Sequence, residues 1–93
     1  MLQRILIVDD KEANLVALES LLSELSVELL MAHSGEEALA LLLEFDVSLV
    51  LLDVQMPDMD GFEVAELMRA RRKTRHIPII FVTAIDNDQS YVF

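Results

Sequence analysis

Three carboxylates stand where chemistry is most easily placed. Asp53 follows Ser48-Leu-Val-Leu-Leu52, and Asp9 with Asp10 follow Ile5-Leu-Ile-Val8. Each apolar run is short, continuous and closed by turn residues, the pattern of a strand buried on both faces. A carboxylate at the carboxyl end of such a strand lies where open α/β sheets gather their ligands. Asp53 alone would equally suit a cap on the next helix. Two strands delivering three acids to one rim point to a site instead. Like charges a few ångströms apart repel unless a cation sits among them. All three are hard oxygen donors with no His or Cys beside them, which favours Mg²⁺. Magnesium with free positions for phosphate oxygens implies phosphoryl transfer, with one carboxylate as nucleophile and Thr83 offering a hydroxyl to the phosphate.

The elements that must hold these residues alternate along the chain. A first strand is expected over Arg4–Val8. An amphipathic helix follows from Glu12 to Leu25, with Leu15, Leu18, Leu22 and Leu25 at helical spacing. A second strand, Val27–Ala32, carries Glu28 and so belongs at an edge. Ser34 to Glu37 has capping-box spacing ahead of a helix through Ala38–Leu43. The third strand is Ser48–Leu52, a third helix opens at Asp60-Gly-Phe-Glu63 and runs to about Arg72, and Pro78 precedes a fourth strand, Ile79–Val82. This β-α-β-α-β-α-β order predicts a largely parallel sheet with helices on both faces.

Composition narrows the function. The 93 residues make one small domain, and 54% hydrophobic content requires most of it to pack. A net charge of −10 argues against a nucleic-acid surface. Five of the seven cations fall in residues 69–75, read as complementing the dipole at a helix end. With no cysteine, no signal peptide and no apolar run of membrane length, the expectation is a cytoplasmic chain. His33 reads as a loop residue, and Glu12 as part of the first helical turn with access to the metal through water.

Taken as an ordered set, Ile5-Leu-Ile-Val-Asp9-Asp10, Leu51-Leu-Asp53-Val-Gln-Met-Pro57-Asp-Met-Asp-Gly61 and Pro78-Ile-Ile-Phe-Val-Thr83-Ala84 resemble the receiver domain of bacterial two-component response regulators. The resemblance implies a flavodoxin-like three-layer sandwich, sheet order 2-1-3-4, lacking the fifth strand and helix of the family and so incomplete at the C-terminus. It makes Asp53 the phosphoacceptor. Mg²⁺ would be held by Asp10, Asp53 and the Gln55 carbonyl, with Asp9 acting mainly through water. Thr83 would hydrogen-bond the phosphoryl group as the switch. Met56, Pro57 and Gly61 would shape the loop, and Ala84 would keep the phosphate accessible. The phosphate-pairing lysine of the family is absent from this sequence, since neither Lys11 nor Lys73 has its place.

The function implied is acceptance of a phosphoryl group from a histidine kinase or phosphotransfer protein, switching an effector. The domain would catalyse at most its own phosphorylation and dephosphorylation. A phosphatase is disfavoured because Gln55 stands where such enzymes carry a second Asp. The rival reading is an interaction module that works without phosphorylation. A bare fourth-strand edge would further invite self-association.

Overall fold

The computed structural model describes residues 2–82. Four strands, β1 (Gln3–Val8), β2 (Val27–Ala32), β3 (Leu49–Asp53) and β4 (Ile79–Val82), alternate with α1 (Glu12–Leu22), α2 (Gly35–Glu44) and α3 (Gly61–Ala70). The sheet is parallel throughout, in the order β2-β1-β3-β4. The expected α/β architecture and strand order are therefore present, with β2 at an edge as Glu28 required. That glutamate lies opposite Arg4 in the β1–β2 register and pairs with its guanidinium at 3.3 Å.

Alternation along the strands sorts the core into two layers. Leu6, Val8, Val50 and Leu52 point to one face and pack with Ala38, Leu39 and Leu42 of α2 and Val64 and Met68 of α3. Ile5 and Ile7 point to the other face and meet Leu15 of α1. Around them Leu18, Leu22, Leu29, Leu49 and Leu51 are only partly buried. β4 forms the outer strand among the described residues, with Ile80 and Phe81 exposed and the Phe81 ring tilted against Phe62 at 5.1 Å.

Some boundaries differ from expectation, each for a local reason. The first helix stops at Leu22 rather than Leu25, where a run of Ser23, Glu24 and Ser26 breaks the apolar periodicity and Ser23 turns its N–H and hydroxyl back to the Ser20 carbonyl. The third strand is shifted by one residue and includes Asp53, because the register extends to Asp53 opposite Val82. α3 ends at Ala70, so most of the basic run lies beyond it. Arg69 alone sits in the last turn. Its guanidinium spans to the carbonyls of Arg75 and Ile77, both at 2.9 Å. Buried Thr74 donates to the Met68 carbonyl at 2.7 Å, which fixes the turn that follows. Lys73 does complement a helix dipole, but that of α2, donating to the Leu43 carbonyl at 2.7 Å.

Candidate phosphoacceptor and metal site

The β1–β3 register sets Val8 opposite Leu52, so the next residues, Asp9 and Asp53, emerge side by side at the carboxyl end of the sheet. The Asp9 N–H donates to the Ala32 carbonyl at 3.1 Å, carrying the β1–β2 ladder one step past Val8. Carboxylate oxygens of Asp9, Asp10 and Asp53 come within 4.8 Å of one another. The three acids predicted from two separated strands thus share one rim.

Their surroundings differ. Asp9 is buried, with Oδ1 accepting from the Lys11 N–H at 2.9 Å and Oδ2 accepting from the Asn14 side-chain amide at 3.0 Å. Asp10 is partly exposed, yet its Oδ1 is buried and has no hydrogen-bond partner among the described residues. Asp53 is buried, and its Oδ1 accepts from the Gln55 N–H at 3.3 Å. Burial, then the charge on Asp9, push the Asp53 carboxyl up from 3.8 to about 6, with the Gln55 N–H pulling the other way and Asp10 adding to the rise.

The loop after Asp53 is built around one close approach. A Cβ on Gly61 would lie 2.3 Å from the Asp53 carbonyl oxygen and 2.9 Å from Val54 Cα, so only glycine lets α3 begin against the end of β3. The Gly61 N–H closes this turn onto the Val54 carbonyl at 2.9 Å. Met56 is buried under it, Pro57 is exposed, and Asp58 takes a left-handed conformation with φ 68°. Capping of α3 is done by Asp60 and Glu63, which exchange reciprocal hydrogen bonds as the sequence spacing predicted. Asp53 therefore does not cap that helix. Thr83 and Ala84 lie outside the described residues.

An orphaned, buried Asp10 oxygen beside two other carboxylates fits a divalent cation, since such an atom otherwise loses its solvation without recompense. All three donors are carboxylate oxygens, which fits Mg²⁺. A hollow of about 100 Å³ between the β2–α2 and β3–α3 loops is lined by His33, Ser34, Gly35, Glu36, Pro57, Asp58 and Met59 and includes none of the three acids.

Two features escaped the sequence reading. Asn14 clamps Asp9; its only signal was a polar side chain in the first turn of a helix that starts just after the acidic pair. His33, expected to be an unremarkable loop residue, bridges Glu12 at 2.6 Å and Glu37 at 3.5 Å, and these acids raise its pKa. Glu12 is thus engaged by His33.

The geometry agrees with known proteins. Residues 5–92 match the response regulator receiver domain family. The chain is 44% identical over 86 residues to the response regulator PleD of Caulobacter vibrioides, covering 92% of this chain but only 19% of PleD. It is 37% identical over 84 residues to the polar-differentiation response regulator DivK of Brucella ovis, covering 90% of this chain and 68% of DivK. The response regulator TrrA of Thermotoga maritima, whose structure was solved in complex with Mg²⁺–BeF, superposes with a TM-score of 0.82 at 38% identity, over 90% of this chain and 71% of TrrA. No helix among the described residues is long and apolar enough to cross a membrane. The chain belongs to the response regulator receiver domain family, the signalling modules of two-component systems.

Proposed function

We propose that the domain accepts a phosphoryl group on Asp53 from a histidine kinase or phosphotransfer protein, in a Mg²⁺-dependent step, and so switches an effector. The observation that carries this reading is the convergence of Asp9, Asp10 and Asp53 within 4.8 Å. In it, Asp10, Asp53 and the Gln55 carbonyl hold the metal directly and Asp9 holds it mainly through water. Mg²⁺, when bound, neutralises the rim and stabilises the charge on the transferring phosphoryl oxygens.

The chain supplies the rest. An Asp53 carboxylate oxygen forms the new O–P bond as the P–N bond to the donor imidazole breaks. The electron pair of that bond stays on the imidazole nitrogen, which takes a proton from solvent. The Gln55 N–H on Asp53 Oδ1 orients the nucleophile. Thr83 then hydrogen-bonds the phosphoryl group, and Ala84 leaves room for it. The effector and the regulated process belong to whatever protein this domain serves.

Self-association through β4 forms part of the same proposal, motivated by exposed Ile80 and Phe81 on the outer strand among the described residues. A monodisperse monomer in light scattering would remove it.

The main reading is tested by incubating the chain with Mg²⁺ and acetyl phosphate and measuring intact mass. One added phosphoryl group, about 80 Da, is expected in the parent and not in Asp53→Asn. An adduct that persists in the variant would place the acceptor elsewhere. No adduct at all would favour the interaction module that works without phosphorylation.

A further inference from the structure

Asp9 and Asp10 leave the same strand end, yet they are prepared for opposite duties. Both Asp9 oxygens already accept a protein hydrogen bond, while Asp10 keeps a buried oxygen with none among the described residues. The donor on Asp9 Oδ1 is the Lys11 backbone, which any residue but proline would supply. The donor on Oδ2 is a side chain, and so depends on residue 14 being what it is. Asn14 is half-buried in the first turn of α1, with its own N–H on the Lys11 carbonyl at 3.0 Å, so the helix sets where its amide points. Asparagine is a poor helix former, because its side chain competes for backbone hydrogen bonds. Its presence here is not explained by the helix.

We propose that Asn14 is a positioning residue that keeps Asp9 from ligating the metal directly, and thereby biases the acidic rim toward Mg²⁺ over Ca²⁺. The inference rests on the metal-binding reading above. Magnesium takes one or two carboxylates and retains several waters, whereas calcium takes six to eight oxygens and gains from each further charged ligand. A carboxylate tied on both oxygens reaches the ion through water. Released on one side, Asp9 becomes free to turn toward the rim as an additional direct ligand. That change favours the larger, less geometrically demanding ion.

The test is separate Mg²⁺ and Ca²⁺ titrations of the ¹⁵N-labelled full chain, following the amide signals of Asp10 and Gln55. The parent is expected to prefer Mg²⁺. Asn14→Ala should lower the Mg²⁺/Ca²⁺ affinity ratio about tenfold, the scale on which partners of metal-ligating side chains act. Asn14→Gln, which keeps the amide donor, should restore most of the ratio. Asn14→Ser serves if the alanine variant does not fold. A merely structural role for Asn14 would weaken both ions alike, so an unchanged ratio in the variants overturns the inference while leaving the metal site intact. A parent chain that binds neither ion overturns the Mg²⁺ reading itself, and this inference with it.

Discussion

The two faces of the sheet are built to different standards. On the α2–α3 side, Leu6, Val50, Leu52, Val64 and Met68 are fully buried and interlock into one layer. On the α1 side, among the described residues, only Ile5, Ile7 and Leu15 are buried, and Leu49, Leu51, Leu18 and Leu22 remain partly open to solvent. Both faces are equally apolar in sequence, so the difference lies in coverage. One face meets two helices and the other meets one among the described residues. The acidic rim straddles this boundary: Asp53 and its loop are braced by α3 through Gly61, while Asp9 is braced by α1 through Asn14. Stability is therefore expected to come mainly from the closed face.

Adjacent leucines of β3 offer the sharpest way to break this comparison. Leu52 faces the closed layer and Leu51 the open one. Leu52→Ala should lose about 3–4 kcal/mol in urea unfolding, and Leu51→Ala about 1–2 kcal/mol, because a half-buried side chain forfeits less transfer energy and leaves no enclosed cavity. Equal losses would show that the α1 face is as closed in solution as the other.

Gly61→Ala probes the brace on the closed side. Helix propensity alone predicts a gain of up to about 1 kcal/mol. The 2.3 Å approach to the Asp53 carbonyl predicts a net loss of about 2 kcal/mol instead, with the end of β3 displaced. Urea unfolding gives the sign, and a stabilised variant would remove the argument for glycine at this position.

Electrostatic strain at the rim should appear as a pH dependence. Because the Asp53 carboxyl rises from 3.8 to about 6, the folded chain keeps a proton over that interval which the unfolded chain has released. Stability contributed by the neutral carboxyl is thus present below about pH 4, falls as pH rises through about 6, and is level beyond it. The drop should be roughly 2 kcal/mol, the rim being open to solvent on one side. Saturating Mg²⁺ or Asp53→Asn should flatten it. Denaturant midpoints at pH 4, 6 and 8 would stay level in place of falling if the rim were not strained.

The smallest effect belongs to His33. Its pKa is raised by Glu12 and then Glu37, so any stability it lends is present at low pH and lost as pH rises through the raised value. All three side chains are exposed, and His33→Ala should leave the unfolding midpoint within error. The imidazole shifts in NMR should nonetheless titrate later than in Glu12→Gln.

How much was legible in the sequence follows the same division. Strand order, the acidic rim and the Gly61 turn were readable because each depends on a local pattern: an apolar run ending in acid, an edge glutamate, a capping spacing. The end of α3 was missed because Arg71, Arg72 and Lys73 are acceptable helix formers, and only the tertiary contacts of Arg69 and Thr74 stop the helix at Ala70. Asn14 was missed for a related reason. Its partner is fixed by the turn between β1 and α1, and no spacing rule connects a helical amide to a carboxylate five residues back. Thr83 and Ala84, prominent in the sequence pattern, lie outside the described residues.

Burial and the neighbouring acids hold Asp53 in a state that a cation would relieve. The most direct measurement is the carboxyl ¹³C chemical shift of Asp53 titrated with pH, with and without Mg²⁺. A midpoint near 6 without the ion, falling well below that value when Mg²⁺ is added, is the predicted result. An ordinary carboxylate midpoint that Mg²⁺ leaves unmoved would contradict it, and with it the assignment of the rim as a metal-assisted acceptor site.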